Sequence, residues 1–347
     1  MERQQHMPYL VDSLQKLAQT PSPTGMTGQV EALLMQELSA LGLSPWQTRK
    51  GGVLVQLNPG VEGDGILLSA HIDTLGLMVR ALKANGRLRF TKIGGCPFNY
   101  AEQENVTVWT RDGKSYEGTV RLNEPAVHGR RDVESVERKD DNMEIVLDEK
   151  VHNAEDAGKL GISAGDFVSL DPRFRRSGDG FVKSRHLDDK ASSAVLLCLA
   201  RAFTQGEASC DRPVYAMFTN YEEVGHGASA GQPDNITDMI AVDMGVVADD
   251  LKTDEYKVSI CAKDSTGPFD YTLTNALILI AKQHELAYAV DVYPFYGSDT
   301  AAALSAGRDW RHALVGPGVA ASHGYERVHE DGLWNTLLLL KHYLRTA

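Results

Sequence analysis

The chain changes texture twice, and this limits its fold more than any other feature. From residue 187 onward helical and strand patterns alternate. "LDDKASSAVLLCLARAF" reads as a buried helix, "VYAMFTN" and "MIAVDMG" as strands, and "PFDYTLTNALILIAKQHEL" as a helix. "AYAVDVY" then reads as a strand, "SDTAAALSAG" as a helix, "HALVGPG" as a strand and "GLWNTLLLLKHYLR" as a closing helix. Such alternation predicts helices packed on a largely parallel sheet, an α/β layer. The first 75 residues belong with it. They carry two helices around the break "PSPTGM", with Thr24 or Thr27 to cap the second, and then the strands "GGVLVQL" and "GILLSAH". Residues 76–180 differ. Short strand patterns such as "GLMVRAL", "NVTVWT" and "MEIVLD" alternate there with turn signals such as "ANG" and "RDGK". The expected organisation is one α/β domain, residues 1–75 and 181–347, split by a β-rich insertion over 76–180.

Composition removes several function classes. The formal net charge is −12, from 47 acidic and 35 basic residues, with no basic block. Sequence-independent nucleic-acid binding, which depends on Lys and Arg neutralising phosphates, is a poor fit. The N-terminal "MERQQHMPYLVDSLQKLAQT" reads as an amphipathic helix and not as a signal peptide. No apolar run approaches the roughly 20 residues that cross a bilayer. Cys96, Cys198, Cys210 and Cys261 form no CxxC pair, so neither a zinc ribbon nor a disulfide framework is indicated. A soluble, cytoplasmic protein with reduced thiols is expected, in which the sequons at Asn105 and Asn235 carry no meaning.

Polar residues gather where strands end or a core helix begins. They are His71 and Asp73 in "SAHIDTLG", Asp188 in "RHLDDKAS", Glu222 and Glu223 in "NYEEVG", Asp243 in "AVDMG" and His323 in "ASHGYERVH". Each has an ordinary reading alone: a hydrogen-bonded core histidine, a turn cap, a helix N-terminal acid, a solvated turn. Ligand sites in open α/β sheets collect beyond the carboxyl ends of the strands, so residues far apart in sequence can meet there. Two histidines and several carboxylates suit zinc, cobalt or manganese. A metal pair needs one bridging carboxylate and terminal carboxylate and histidine ligands, and the set supplies them. Three carboxylates would offset most of the +4 charge and leave enough field to acidify a water. One of the two adjacent glutamates could then bind metal while the other takes a proton.

The motifs "HIDTLGLMV", "LDDKAS", "EEVG", "VDMG" and "GPG…SHGYE" resemble, in order and context, those of the M42 aminopeptidases, a family of co-catalytic dimetal exopeptidases. The likeness runs over nearly the whole chain, including "PSPTG", "GTVRLNEPAVHG" and "LGISAGDFVSLDPRF". It implies an α/β/α catalytic domain with an inserted, barrel-like dimerisation domain, and assembly into dimers and dodecamers. It further implies that Asp188 bridges two divalent metals, zinc before cobalt or manganese. His71 and Asp243 would complete one metal site, and Glu223 and His323 the other. Glu222 would be the general base, and Asp73 would orient His71. The implied reaction is hydrolysis of an N-terminal peptide bond in a short peptide. Two departures stand out: "DDKAS" places Lys190 where many members have an arginine, and "VAASHGYER" lacks the usual Arg-Tyr pair before the histidine. The form "SHGYERVH" is similar to a subgroup linked to a bacterial osmoprotectant, an N-acetylated glutamine dipeptide amide. A small blocked dipeptide is therefore an alternative substrate.

Three other readings compete. "GASAG" at 227–231, followed by Asp299 and His323, has the chain order of a Ser229-based hydrolase, but no strand runs directly into the serine. A glycosidase needs two carboxylates held across a sugar, which adjacent glutamates do not offer. A non-catalytic metal-binding scaffold predicts loss of the base, whereas Glu222 and Asp73 are present. "HEDGL" and "HELAY" both lack the second histidine of single-zinc proteases.

Overall fold

The computed structural model describes residues 1–347 and divides into two compact units, residues 1–73 with 173–347, and residues 74–172. The first is built on a mixed sheet. Its main strands are β1 (Val53–Gln56), β2 (Gly65–His71), β3 (Val214–Thr219), β4 (Ile236–Val242), β5 (Val258–Asp264), β6 (Tyr288–Val292) and β7 (Arg311–Val319). They lie in the order β1, β3, β2, β4, β7, β5, β6. The centre, β3–β2–β4–β7, is parallel, while β1 and β5 run antiparallel to their inner neighbours. Central parallel strands are covered on both faces and read as continuous apolar runs. All seven residues of β2, "GILLSAH", are buried.

Alternate residues of these strands point to opposite faces. One set, including Ile66, Leu68, Ala216, Phe218, Ile240 and Val242, packs on five helices. These are α1 (Arg3–Gln19), α2 (Gly28–Ala40), α3 (Leu187–Thr204), α4 (Tyr271–Gln283) and, after the short α5 (Asp299–Ser305) of the other face, α6 (Glu330–Leu344). The complementary set, Leu54, Leu67, Met217 and Met239, packs with Ala228 and with Ala303 of α5. The helix α3 is buried almost throughout, as its sequence predicts, and the α6 stripe Leu333, Leu337 and Leu340 is core.

The second unit is a closed antiparallel barrel. Its strands follow the order Gly76–Leu82, Leu88–Ile93, Met143–Leu147, Ser115–Leu122, Asn105–Trp109 and Phe167–Leu170, which returns to the first. Alternating residues such as Leu77, Val79, Val106, Val108, Val120 and Leu122 fill the interior. Closure leaves no unpaired sheet edge. Residues 173–180, grouped with the insertion by their texture, lie in the first unit, where Arg175–Ser177 pairs with Phe181–Ser184. A polar hairpin carries no helical period and so reads like the barrel that precedes it. No helix is long and apolar enough to cross a membrane.

Candidate active site

The carboxyl ends of β2, β3 and β4 and the start of α3 converge, and the loop after β7 reaches the same place. Seven residues singled out from the sequence meet there. His71 ends β2, and its Nε2 lies 2.9 Å from Asp188 Oδ1. His323 Nε2 lies 3.5 Å from the other Asp188 oxygen and 3.7 Å from Glu223 Oε2. Asp243 follows β4. Two triplets result, His71–Asp188–Asp243 and Asp188–Glu223–His323, each with its nitrogen and oxygen donors within 4.8 Å of one another. Asp188 belongs to both.

The adjacent glutamates share the site because they are not in a strand. The strand β3 ends at Thr219, Tyr221 takes left-handed dihedrals (φ 72°), and Glu222–Val224 forms one 3-10 turn. Neighbours in a strand would point to opposite faces. Here Glu223 faces His323, and Glu222 Oε2 lies 3.8 Å from His71 Nε2.

The Asp73 carboxylate does work that differs from the expected orientation of His71. It accepts hydrogen bonds from the backbone N–H groups of Glu222 (3.2 Å) and Glu223 (3.3 Å) and from Thr24 Oγ1 (2.7 Å). The His71 ring nitrogen Nδ1 bonds instead to the Asp73 carbonyl oxygen at 2.9 Å, while the carboxylate stands 3.8 Å away. Asp73 thus holds the ring with its backbone and the glutamate turn with its side chain. Thr24, considered a helix cap, belongs to this support, and Thr27 begins α2 without a capping hydrogen bond from its side chain.

Other supports escaped sequence reasoning. Glu326, fully buried in "SHGYE", accepts from the N–H groups of Asp188 (3.0 Å) and His323 (2.9 Å), so one carboxylate steadies both. Lys190 is fully buried, and its Nζ donates to Ser22 Oγ and the Ile72 carbonyl, each at 2.7 Å. It ties "PSPTG" to the residue after β2 and is not part of the wall of the cavity beside Asp188. Burial pushes its pKa down to about 7. Asp299 accepts from Thr219 Oγ1 (2.7 Å) and Ala228 N–H (2.8 Å), and Lys50 Nζ holds the carbonyls of His226 and Gly227. Position 227 must be glycine, because a Cβ there would collide with the Asp299 carboxylate. In "GPG", a Cβ on Gly316 would strike the Asp243 carbonyl, so this glycine lets β7 pass close behind Asp243. Only the motif membership of Glu326 and Gly316 gave a sequence signal.

The electrostatics are lopsided. The cationic partners of Asp188, Glu222 and Glu223 are histidine rings. Burial, reinforced by neighbouring acids, raises Glu222 and Glu223 well above the usual carboxylate range and Asp243 to about 7. Burial works against protonated His71, yet the Asp188 hydrogen bond and nearby carboxylates raise its pKa. Burial alone would raise Asp188, but the His71 hydrogen bond holds it below the usual value. Acids at this density call for a cation from outside the chain.

The Ser229 arrangement is not assembled. Ser229 lies in a short 3-10 segment far past the end of β3, and its Oγ donates to the His226 carbonyl (2.9 Å) and contacts Lys50 Nζ (2.9 Å). His186 starts α3, and His226 stacks on Tyr221 with ring centres 4.8 Å apart.

The family model of the M42 glutamyl aminopeptidases matches residues 51–339. YhfE of Bacillus subtilis (strain 168), an aminopeptidase by name, is 41% identical over 336 residues, 97% of each chain. The lysyl aminopeptidase of Pyrococcus furiosus is 28% identical over 160 residues, 46% of this chain and 44% of its own. The TET1 peptidase of Pyrococcus horikoshii superposes with a TM-score of 0.85 at 22% identity, over 97% of this chain and 100% of its own. That likeness supports the fold. The family match and the full-length relative show that the chain is an enzyme of the M42 aminopeptidase family.

Proposed function

We propose that this enzyme is a metal-dependent aminopeptidase that removes N-terminal residues from short peptides. The shared Asp188 carries the reading: two donor triplets meet on one carboxylate, and its ion-pair partners are the histidine rings of His71 and His323. Two divalent cations fit this donor set. His71 and Asp243 would hold one, Glu223 and His323 the other, with Asp188 between them. Zinc is our first choice, and cobalt and manganese suit the same ligands. When bound, such ions polarise a scissile carbonyl and make water more acidic.

The remaining chemistry belongs to the chain. Glu222, in none of the donor triplets, accepts the proton of the attacking water and delivers it to the leaving amine. Asp73 aims Glu222 through its backbone N–H and fixes the His71 ring through its own carbonyl. Thr24 and Glu326 keep these groups from relaxing apart.

The test compares wild type with Glu222→Gln, before and after chelation, on aminoacyl amides and N-acylated dipeptides. Wild type should carry about two metal ions per chain and lose turnover on chelation. Glu222→Gln should keep its metal and lose about 10²–10⁴-fold in kcat. Activity that survives complete metal removal would overturn the mechanism. The preferred substrates separate an aminopeptidase from an amidase of blocked dipeptides. TET1 assembles, by its description, into a tetrahedron or a large octahedral shell. We infer self-association here too, with the barrel as the dimerising element, in a cytoplasmic enzyme.

A further inference from the structure

We propose that the cavity beside Asp188 selects an uncharged N-terminal side chain and discriminates against both glutamyl and lysyl substrates. The inference rests on the peptidase reading and adds the substrate class. The cavity measures about 490 Å³ and is bounded at one end by Asp188, Glu222, Glu223, Asp243 and His323. Away from these, its walls are Gly225, the turn at Thr266, the Phe295–Ser298 segment and the α5 face of Ala301, Ala302 and Ser305. None of these wall residues is charged. The α5 side chains stop at Cβ or Oγ, so the wall is smooth and leaves room for a long side chain.

Several polar atoms of the wall are already engaged. Thr266 donates to Asp264 Oδ1 through both N–H (2.7 Å) and Oγ1 (2.6 Å). Ser298 Oγ and Thr300 Oγ1 bond to each other at 2.8 Å, and Tyr296 OH donates to the Met244 carbonyl at 2.9 Å. Along these walls an entering carboxylate or ammonium would shed water without meeting a counter-charge. The acidic end does not attract a lysyl side chain, because Asp188, Glu223 and Asp243 are assigned to the two ions and Glu222 to the attacking water. Phe295, also on this wall, is 95% exposed and offers an aromatic surface that an apolar side chain can cover.

The experiment measures kcat/KM on metal-loaded enzyme for methionyl, glutamyl and lysyl anilides, three side chains of similar reach and different charge. Methionyl should exceed each charged substrate by about tenfold or more. Ser305 is exposed, so Ser305→Arg is accommodated and should raise the glutamyl-to-methionyl ratio about tenfold. Equal or better turnover of glutamyl or lysyl substrate by wild type would overturn the inference and leave the peptidase reading standing. An unchanged ratio in Ser305→Arg would overturn it as well. Calorimetric titration of Glu222→Gln with methionine, glutamate and lysine separates the two readings. If no anilide is cut but methionine binds best, the pocket stands and the peptidase reading falls. If glutamate or lysine binds as tightly as methionine, or none of the three binds, the pocket inference falls.

Discussion

Two buried aspartates mark the two ends of β4, and they are treated in opposite ways. Asp238, near the start of the strand, is fully buried between Arg212 and Arg311, each 2.6 Å away. Asp243, just past the other end, sits among Asp188, Glu222 and His71, and burial pushes its pKa up to about 7. The barrel repeats the first pattern: Glu144 is buried, with Lys83 and Arg87 as its partners. At Asp238 and Glu144 the chain supplies the cation itself. Around Asp188, Glu222 and Glu223 the ion-pair partners are histidine rings, which leaves room for cations from solution. The carboxylate alone does not distinguish the two cases; what surrounds it does.

The largest effect we expect in testing this contrast is at the architectural end. Asp238→Asn leaves two arginines without their acid. It should cost about 2–3 kcal/mol, toward the low side for a broken buried pair because both arginines reach solvent. Urea unfolding would read this as a lower midpoint at unchanged slope, with kcat/KM preserved at temperatures where the variant stays folded. Asp243→Asn should behave in the reverse sense. In metal-free protein it relieves crowding among acids and should raise the urea midpoint, while metal binding and turnover are lost. The gain has a pH signature. Folded Asp243 keeps its proton up to about 7 and the unfolded chain releases it near 3.8, so wild-type stability falls as pH rises through that window. The advantage of the asparagine should be full above pH 7 and absent below about 4. Destabilisation by Asp243→Asn at pH 8 would mean that this aspartate is structural after all.

The same contrast explains what could be read from the sequence. The barrel and the α/β alternation were legible because their periods of 2 and 3.6 are local, and β2 or α3 announces its burial by an apolar run. His71, Asp73 and Asp243 stood out as polar residues at the end of such runs. Their supports did not, because each depends on contacts across long stretches of chain. Lys190 meets Ser22 from 168 positions away, and Asp188 meets Glu326 across 138. The lysine of "DDKAS" shows what it holds only once "PSPTG" is folded over it. Asp73 shows a subtler limit. A histidine and an aspartate two apart read as a ring and the carboxylate that orients it. The acceptor for the ring is instead the Asp73 carbonyl, which every residue carries, and the carboxylate is left free for the glutamate turn.

A last and smaller test takes the mirror image of the acid cluster. His284, at the end of α4, and His342, in α6, stack face to face with ring centres 3.6 Å apart and planes 12° apart. Burial, with His284 beside it and Lys341 and Arg345 nearby, lowers the His342 pKa to about 4. The sign is opposite to that of Asp243. Above about pH 6.5 the ring is neutral in both folded and unfolded chain and costs nothing. As pH falls from 6.5 toward 4 the unfolded chain binds a proton that the folded chain refuses, so stability is lost across that window. The pair is partly exposed, which keeps the effect small. His342→Gln should flatten the acid limb of Tm against pH by about 2 °C or less and leave values above pH 7 unchanged. An acid limb as steep as that of wild type would show that His284 and solvent let the second ring charge freely. Withheld counter-charge would then mark only the acid cluster, where the chain has something to bind.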